Sequence, residues 1–144
     1  MSTVFSKIIA GEIPGRFVWS DETCVGFLSI NPLAYGHTLV VPRAEVDKWT
    51  DADVETVTHL TRVAHRIGTA QVETFGSERA GLAIVGFEVP HLHIHVWPSN
   101  SMADHDFANA MDNPDPAKMD EAAEKLRVAL RLMGETDHVP AESD

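Results

Sequence analysis

Seven residues constrain this chain more than any others. His91-Leu92-His93-Ile94-His95-Val96-Trp97 alternates imidazole with aliphatic side chains, and Pro90 and Pro98 bound it. A period of two marks a β-strand with two unlike faces. The three imidazoles therefore share one face, with neighbours roughly 6.6 Å apart along the strand. Leu92, Ile94 and Val96 share the other face, which needs an apolar partner such as a helix. The imidazole face must open on a cleft or on solvent, because three core imidazoles without partners would be costly to bury.

Possible partners for that strand can be read along the chain. Residues 16–20, 24–30 and 37–41 are rich in β-branched and aromatic side chains and predict strands. The turn Asp21-Glu22-Thr23 separates the first two, Asn31-Pro32 closes the second, and Gly36 and Pro42 bound the third. This is the pattern of an antiparallel meander. A helix follows, with Thr50 as its N-cap and Asp53 three residues on. Val57, Leu60, Ala64 and Ile67 form its core face, Gln71 ends that face outside the core, and Gly76 stops the helix. Residues 81–86 predict a buried strand, and residues 99–116 a surface loop. A second helix spans about residues 117–133, with Asp115 as cap, Pro116 in the first turn and Gly134 as stop. Its apolar stripe is Met119, Ala122, Leu126, Ala129, Leu130 and Met133, and Glu121 and Lys125 form an i,i+4 pair.

The expected fold is α+β: about five antiparallel strands in one sheet, with two helices packed on it. At 144 residues the chain can bury one core and not two. Residues 1–134 are expected to form that single domain, and residues 135–144 an acidic, frayed tail. The net charge of −11 argues against nucleic-acid partners and against docking on anionic lipid. The single cysteine, Cys24, excludes a disulfide framework and any zinc site needing two or more thiolates. No apolar run approaches a membrane span and residues 1–15 carry no cleavable-signal pattern, so the expected compartment is cytoplasmic. Cys24, Trp19 and Trp97 read as packing residues, and Arg43 as a surface side chain beside Glu45. His59 and His65 are six apart on a helix and read as exposed. His105 falls in the loop after the histidine strand and His138 in the tail.

Three readings of the histidine strand stay open on residues alone. It is a solvated face without chemistry, or a metal site, or a catalytic site. Two histidines at i,i+2 can chelate zinc, with a carboxylate such as Glu88 completing the set. Neutral imidazole is also a good nucleophile near pH 7 when a neighbour holds its tautomer.

The strand resembles the signature of the histidine triad family of nucleotide hydrolases and transferases, in which three histidines alternate with apolar residues. The likeness extends to Phe5-Ser6-Lys7-Ile8-Ile9, to Gly11-Glu12-Ile13-Pro14, and to residues 27–42 with Asn31-Pro32, Gly36-His37-Thr38 and Val40-Val41-Pro42. It covers residues 4–98 and is nearest to the short mycobacterial-type members. The resemblance implies hydrolysis at the α-phosphate of a nucleoside phosphoramidate, an aminoacyl adenylate or a dinucleoside polyphosphate. His93 would be the nucleophile and form a nucleotidyl-histidine. His95 would bond the phosphate oxygens and assist the leaving group, and His91 and His37 would fix the tautomer of His93. Ser29, Asn31, Glu88, Phe5 and Ile30 would bind the nucleotide. No cofactor or catalytic metal is implied. A homodimer with sheets joined edge to edge is implied.

Several residues depart from the family pattern. Ser6 stands where many bacterial members have a zinc-ligating cysteine, and Glu45 where they often have histidine, so the structural zinc of that subgroup is not expected. Ser29 replaces an aspartate that holds the ribose. Phe87 replaces a polar residue, and residues 85–90 lack a polar loop carrying asparagine. Two alternatives follow: a nucleotidyl transferase, or a non-catalytic purine-nucleotide sensor or scaffold. The loop 99–116 or the tail is expected to border the pocket and set the leaving group allowed.

Overall fold

The structure is a computed structural model and describes residues 2–141. In chain order the elements are α1 (Val4–Ile9), β1 (Phe17–Ser20), β2 (Cys24–Leu28), β3 (Thr38–Pro42), α2 (Val54–Phe75), β4 (Arg79–Ala83), β5 (Ile94–Ser99) and α3 (Pro116–Leu132). The strands form one five-stranded antiparallel sheet in the order β1-β2-β3-β5-β4. The expected α+β architecture is therefore present. The histidine strand lies inside the sheet, with Leu39 opposite His95 and Val40 opposite Ile94 on β3.

The two faces of that strand part as the alternation requires. Leu92, Ile94 and Val96 are buried with Leu60, Val63 and Ile67 of α2 and Leu126 and Leu130 of α3. Each such side chain contributes about 1.5–3 kcal/mol by leaving water. On the opposite face a smaller cluster gathers Phe5, Ile8, Val25, Phe27, Leu39 and Val41. Helix α1 covers that face. The sequence reading has no helix there, because six residues are too few for periodicity to show. Burial of Phe5 and Ile8, and the Thr3 side chain accepting from the Ser6 N–H, hold it in place.

Helix α3 matches its sequence signals. The Asp115 side chain accepts from the Ala117 N–H, Pro116 opens the helix, Gly134 follows it at φ +93°, and Lys125 lies 3.2 Å from Glu121. Gly76 closes α2 with φ +63°. Trp19, Trp97 and Cys24 are buried and His65 is exposed, all as expected.

Four expectations need correction. Helix α2 starts at Val54 with Asp53 in the cap position, and Thr50 belongs to a short 3-10 turn before it. Gln71 is fully buried, because its amide N–H groups donate to the carbonyls of Gly36 and Val96. The apolar run after Gly81 is not a buried strand: β4 ends at Ala83, lies at the sheet edge, and leaves Leu82 50% exposed. Residues 135–140 of the tail make contacts with the domain. Glu135 accepts from Arg66 at 2.7 Å, His138 stacks on Trp19, and the Pro140 carbonyl accepts from Arg131. The remainder of the tail, 142–144, lies outside the described residues. His59 is half-buried, and its Nε2 meets Asp21 at 2.7 Å.

Asp21 is the reason for that last difference. Its carboxylate accepts from the Trp19 indole, from His59 and from the backbone N–H groups of Thr23 and Cys24. It thereby ties the β1–β2 turn to α2. Burial alone would raise the Asp21 carboxyl, but the hydrogen bonds from Trp19, His59, Cys24 and Thr23 override it and hold it well below the usual range. A depressed folded pKa gives stability that is complete above the unfolded value and is lost as pH falls. Asp21→Ala is expected to lower unfolding free energy by about 2 kcal/mol at pH 7. In urea titrations its deficit against the wild type should shrink as pH falls below the unfolded value of 3.8.

Candidate active site

His93 precedes β5, and the apolar burial of its neighbours Leu92 and Ile94 turns its ring the other way. Its Nδ1 lies 2.7 Å from the carbonyl oxygen of His91. A carbonyl can only accept, so Nδ1 carries the proton and Nε2 keeps a free lone pair. The other rings follow by the same rule. His91 Nε2 meets the Pro42 carbonyl at 2.8 Å and must donate, so its Nδ1 accepts from the Thr3 hydroxyl at 2.7 Å. The Leu33 N–H donates to His37 Nδ1 at 2.9 Å, so His37 Nε2 carries a proton. That proton points to His95 Nδ1 at 3.0 Å. His95 is left with its proton on Nε2.

A cleft of about 840 Å³ opens over these rings. His37, His93 and His95 line it, and so do Ser29, Asn31, Glu88, Phe5 and Ile30. Phe5 packs edge-on to His93 with centroids 4.8 Å apart, the same separation as between the His93 and His95 rings. The Ser29 oxygen accepts from the Asn31 N–H at 3.3 Å, which leaves its own proton to donate. Asn31 in turn donates to the Met111 carbonyl, tying the cleft wall to the loop after β5. Strand β2 stops at Leu28, so Ser29 and Ile30 leave the predicted strand and turn to the cleft.

His91 is fully buried and does not line the cleft; its backbone carbonyl, not its ring, meets His93. His37 holds His95 and makes no hydrogen bond to His93. Both follow from where the sheet places the rings, which alternation alone does not specify. The sequence reading also missed Thr3, the Leu33 N–H and the aromatic wall of Phe107. Phe107 sits 5.0 Å from the His95 ring, centroid to centroid, and lines the cleft with Ala110. Loop 99–116 thus borders the pocket, as expected. His105 stays outside, against Trp97 and Ser99. Arg16 lines the cleft, but Asp120 engages it at 2.7 Å.

Burial keeps these imidazoles neutral. It depresses His37 to about 3, with the nearby His95 and His93 adding to the effect. It depresses His95 to about 4, with His93 adding to it. His93 is lowered chiefly by burial, against an opposing hydrogen bond to the His91 carbonyl.

The donor set fits a metal poorly. His93 offers a lone pair to the cleft but His95 offers a proton, so the two do not form a bidentate chelate. Where the resemblance would place zinc ligands of some members, the Ser6 hydroxyl bonds the Glu45 carboxylate. No thiolate is there, and both nitrogens of the adjoining His91 are already engaged. Asp21, Cys24 and His59 also converge, but burial and the Asp21 charge push the Cys24 thiol up and keep it protonated.

Comparison with known proteins agrees with this geometry. The HIT domain profile matches residues 10–102. The chain belongs to the HIT-domain family. A HIT-like protein of Methanocaldococcus jannaschii is 32% identical over 102 residues, covering 66% of this chain and 77% of its own. One of Mycobacterium tuberculosis is 34% identical over 103 residues, covering 68% and 72%. Adenylylsulfatase HINT3 of Arabidopsis thaliana is 32% identical over 100 residues, covering 66% of this chain and 51% of its own. Among solved structures, a zinc-bound histidine triad family protein from Mycobacterium smegmatis superposes with TM-score 0.79 at 31% identity, covering 94% of this chain and 98% of its own. No helix among the described residues of this HIT protein is long and apolar enough to cross a membrane.

The depressed imidazoles have a consequence for stability. Unfolding restores the ordinary value of 6.5, so below it the unfolded chain binds more protons than the folded one. Stability is complete above pH 6.5 and drains away towards the folded values of about 3 and about 4. The urea midpoint is expected to fall steadily from pH 6.5 to 4, and the slope should be shallower in His37→Gln. Equal slopes would show that His37 is not the group responsible.

Proposed function

We propose that this HIT protein hydrolyses a nucleotide at its α-phosphate through a nucleotidyl-histidine on His93. One observation carries the reading: the His91 carbonyl holds the His93 proton on Nδ1 and leaves Nε2 as a neutral nucleophile facing the cleft. Nε2 attacks the α-phosphorus, and the bond to the leaving group breaks as the N–P bond forms. The His95 Nε2–H, oriented by His37, donates a hydrogen bond to the departing atom, which takes up its proton from solvent. Water then cleaves the N–P bond, releases the nucleoside monophosphate and gives its proton to solvent. The covalent step divides one difficult displacement into two easier ones. The purine lies on the apolar wall of Phe5, Phe27 and Ile30, and the Ser29 hydroxyl meets the ribose.

The substrate classes are nucleoside phosphoramidates, aminoacyl adenylates and dinucleoside polyphosphates. A sulfate leaving group fits the same scheme, in line with the name of the Arabidopsis relative. The net charge of −11 and the engagement of Arg16 by Asp120 favour leaving groups of low charge over long polyphosphates. Such substrates are intracellular, so the compartment we assign is the cytoplasm.

The test is AMP release from an adenosine phosphoramidate. Wild type should release AMP with or without EDTA, and His93→Ala should lose about a thousandfold or more. His95→Ala should lose about a hundredfold with an amine leaving group, and less when the leaving group needs no proton. Abolition by EDTA would replace this mechanism with a metal-dependent one. Adding pyrophosphate or a sugar phosphate distinguishes transfer from hydrolysis by the product formed.

We also propose a homodimer joined along β4. That strand is a free edge, and Leu82, Val85 and Phe87 beside it are 50%, 47% and 95% exposed. Light scattering should give twice the 15.8 kDa chain mass for wild type and the single mass for Leu82→Arg.

A further inference from the structure

His91 lies outside the cleft, yet the proton on His93 depends on where its carbonyl points. Three contacts hold that residue. Its N–H donates to the Val89 carbonyl at 2.8 Å and its Nε2–H to Pro42 at 2.8 Å. The third comes from another element altogether: the Thr3 hydroxyl, at the start of α1, meets His91 Nδ1 at 2.7 Å across 88 residues of chain.

The direction of that bond is determined. The Thr3 hydroxyl has one proton, and His91 Nδ1 is its near acceptor. Ser6 Oγ is farther, at 3.2 Å, and gives its own proton to the Glu45 carboxylate. Glu45 also accepts from the Thr3 N–H at 3.2 Å, while the Thr3 oxygen accepts from the Ser6 N–H at 3.0 Å. Each donor in the set has one acceptor. The network joins α1, the segment after β3 and the histidine strand. An N-cap alone would need only the acceptor function of Thr3. The second bond, to His91, has no part in capping.

We propose that Thr3 is a positioning residue for His93, clamped by Ser6 and Glu45, and that this hydrogen-bonded brace takes the place of a structural metal. The brace holds the His91 backbone, whose carbonyl keeps the His93 proton on Nδ1. It rests on the reading of His93 as nucleophile, and it adds residues that never touch substrate.

Three variants separate the roles of Thr3. Thr3→Val removes the hydroxyl at constant shape. Thr3→Asp keeps an N-cap acceptor but carries no proton for His91. Thr3→Ser restores both functions. Phosphoramidate turnover and the ¹⁵N-resolved ring signals of His91 and His93 are measured for each, with the zinc content of the purified chain. In Thr3→Val and Thr3→Asp, kcat should fall roughly tenfold with KM within about twofold, as expected for a displaced reacting group. The His93 Nδ1 proton should exchange faster in both, Thr3→Ser should match wild type, and zinc should be far below one per chain. Wild-type behaviour of Thr3→Asp would reduce Thr3 to a helix cap and overturn the proposal. Unchanged ring signals in Thr3→Val, or one zinc per chain on which those signals depend, would overturn it equally. If wild type turns over no substrate, the hydrolase reading falls, and the ring signals alone decide the brace.

Discussion

Burial of Leu92, Ile94 and Val96 against α2 and α3 is the interaction on which the remaining geometry depends. A strand has two faces, so committing the aliphatic side chains to the core commits the histidines to the other. A slip of one residue would exchange the two sets, placing imidazoles in an apolar core and aliphatics in the cleft. Antiparallel pairing with β3 and β4 holds the register on both sides. The precision of the site is thus inherited from packing on the far side of the sheet.

On the cleft side, hydrogen bonds convert position into chemistry. Three rings have their protons assigned by partners that can act in only one sense, carbonyls that accept and a backbone N–H that donates, and His37 then assigns the fourth, His95. The outcome is a lone pair on His93 Nε2 beside a proton on His95 Nε2, from two side chains of the same type. Burial supports the arrangement by keeping His37, His93 and His95 neutral. Chemical asymmetry between identical residues arises here from backbone geometry and from one neighbouring histidine. It needs no metal to impose it.

Much of this was legible in the sequence, and the parts that were not share a cause. The strand alternation, the Asp115 cap, Pro116 and the Gly76 and Gly134 stops are local signals, read within a few residues, and they match. Ser29, Asn31, Phe5, Ile30 and Glu88 could be placed at the cleft because the resemblance to the triad family spans their segments. Helix α1 was missed because six residues carry too little periodicity. Gln71 and His59 were misjudged because polarity predicts exposure unless a partner is known. Their partners, Gly36, Val96 and Asp21, lie 25 to 38 residues away. Glu135, His138 and Pro140 likewise meet distant partners, Arg66, Trp19 and Arg131.

By itself the sequence determined that one strand would show histidines on one face and aliphatics on the other, within a single antiparallel α+β sheet. Side-chain alternation and local turn chemistry are properties of neighbouring residues, so they can be read without a fold. Tertiary structure decided which ring nitrogen carries each proton, and that the His91 carbonyl meets His93 while His37 meets His95. It also decided that Thr3 reaches the histidine strand. Those outcomes depend on hydrogen-bond partners brought together from distant segments, and such pairs form only when the core has packed.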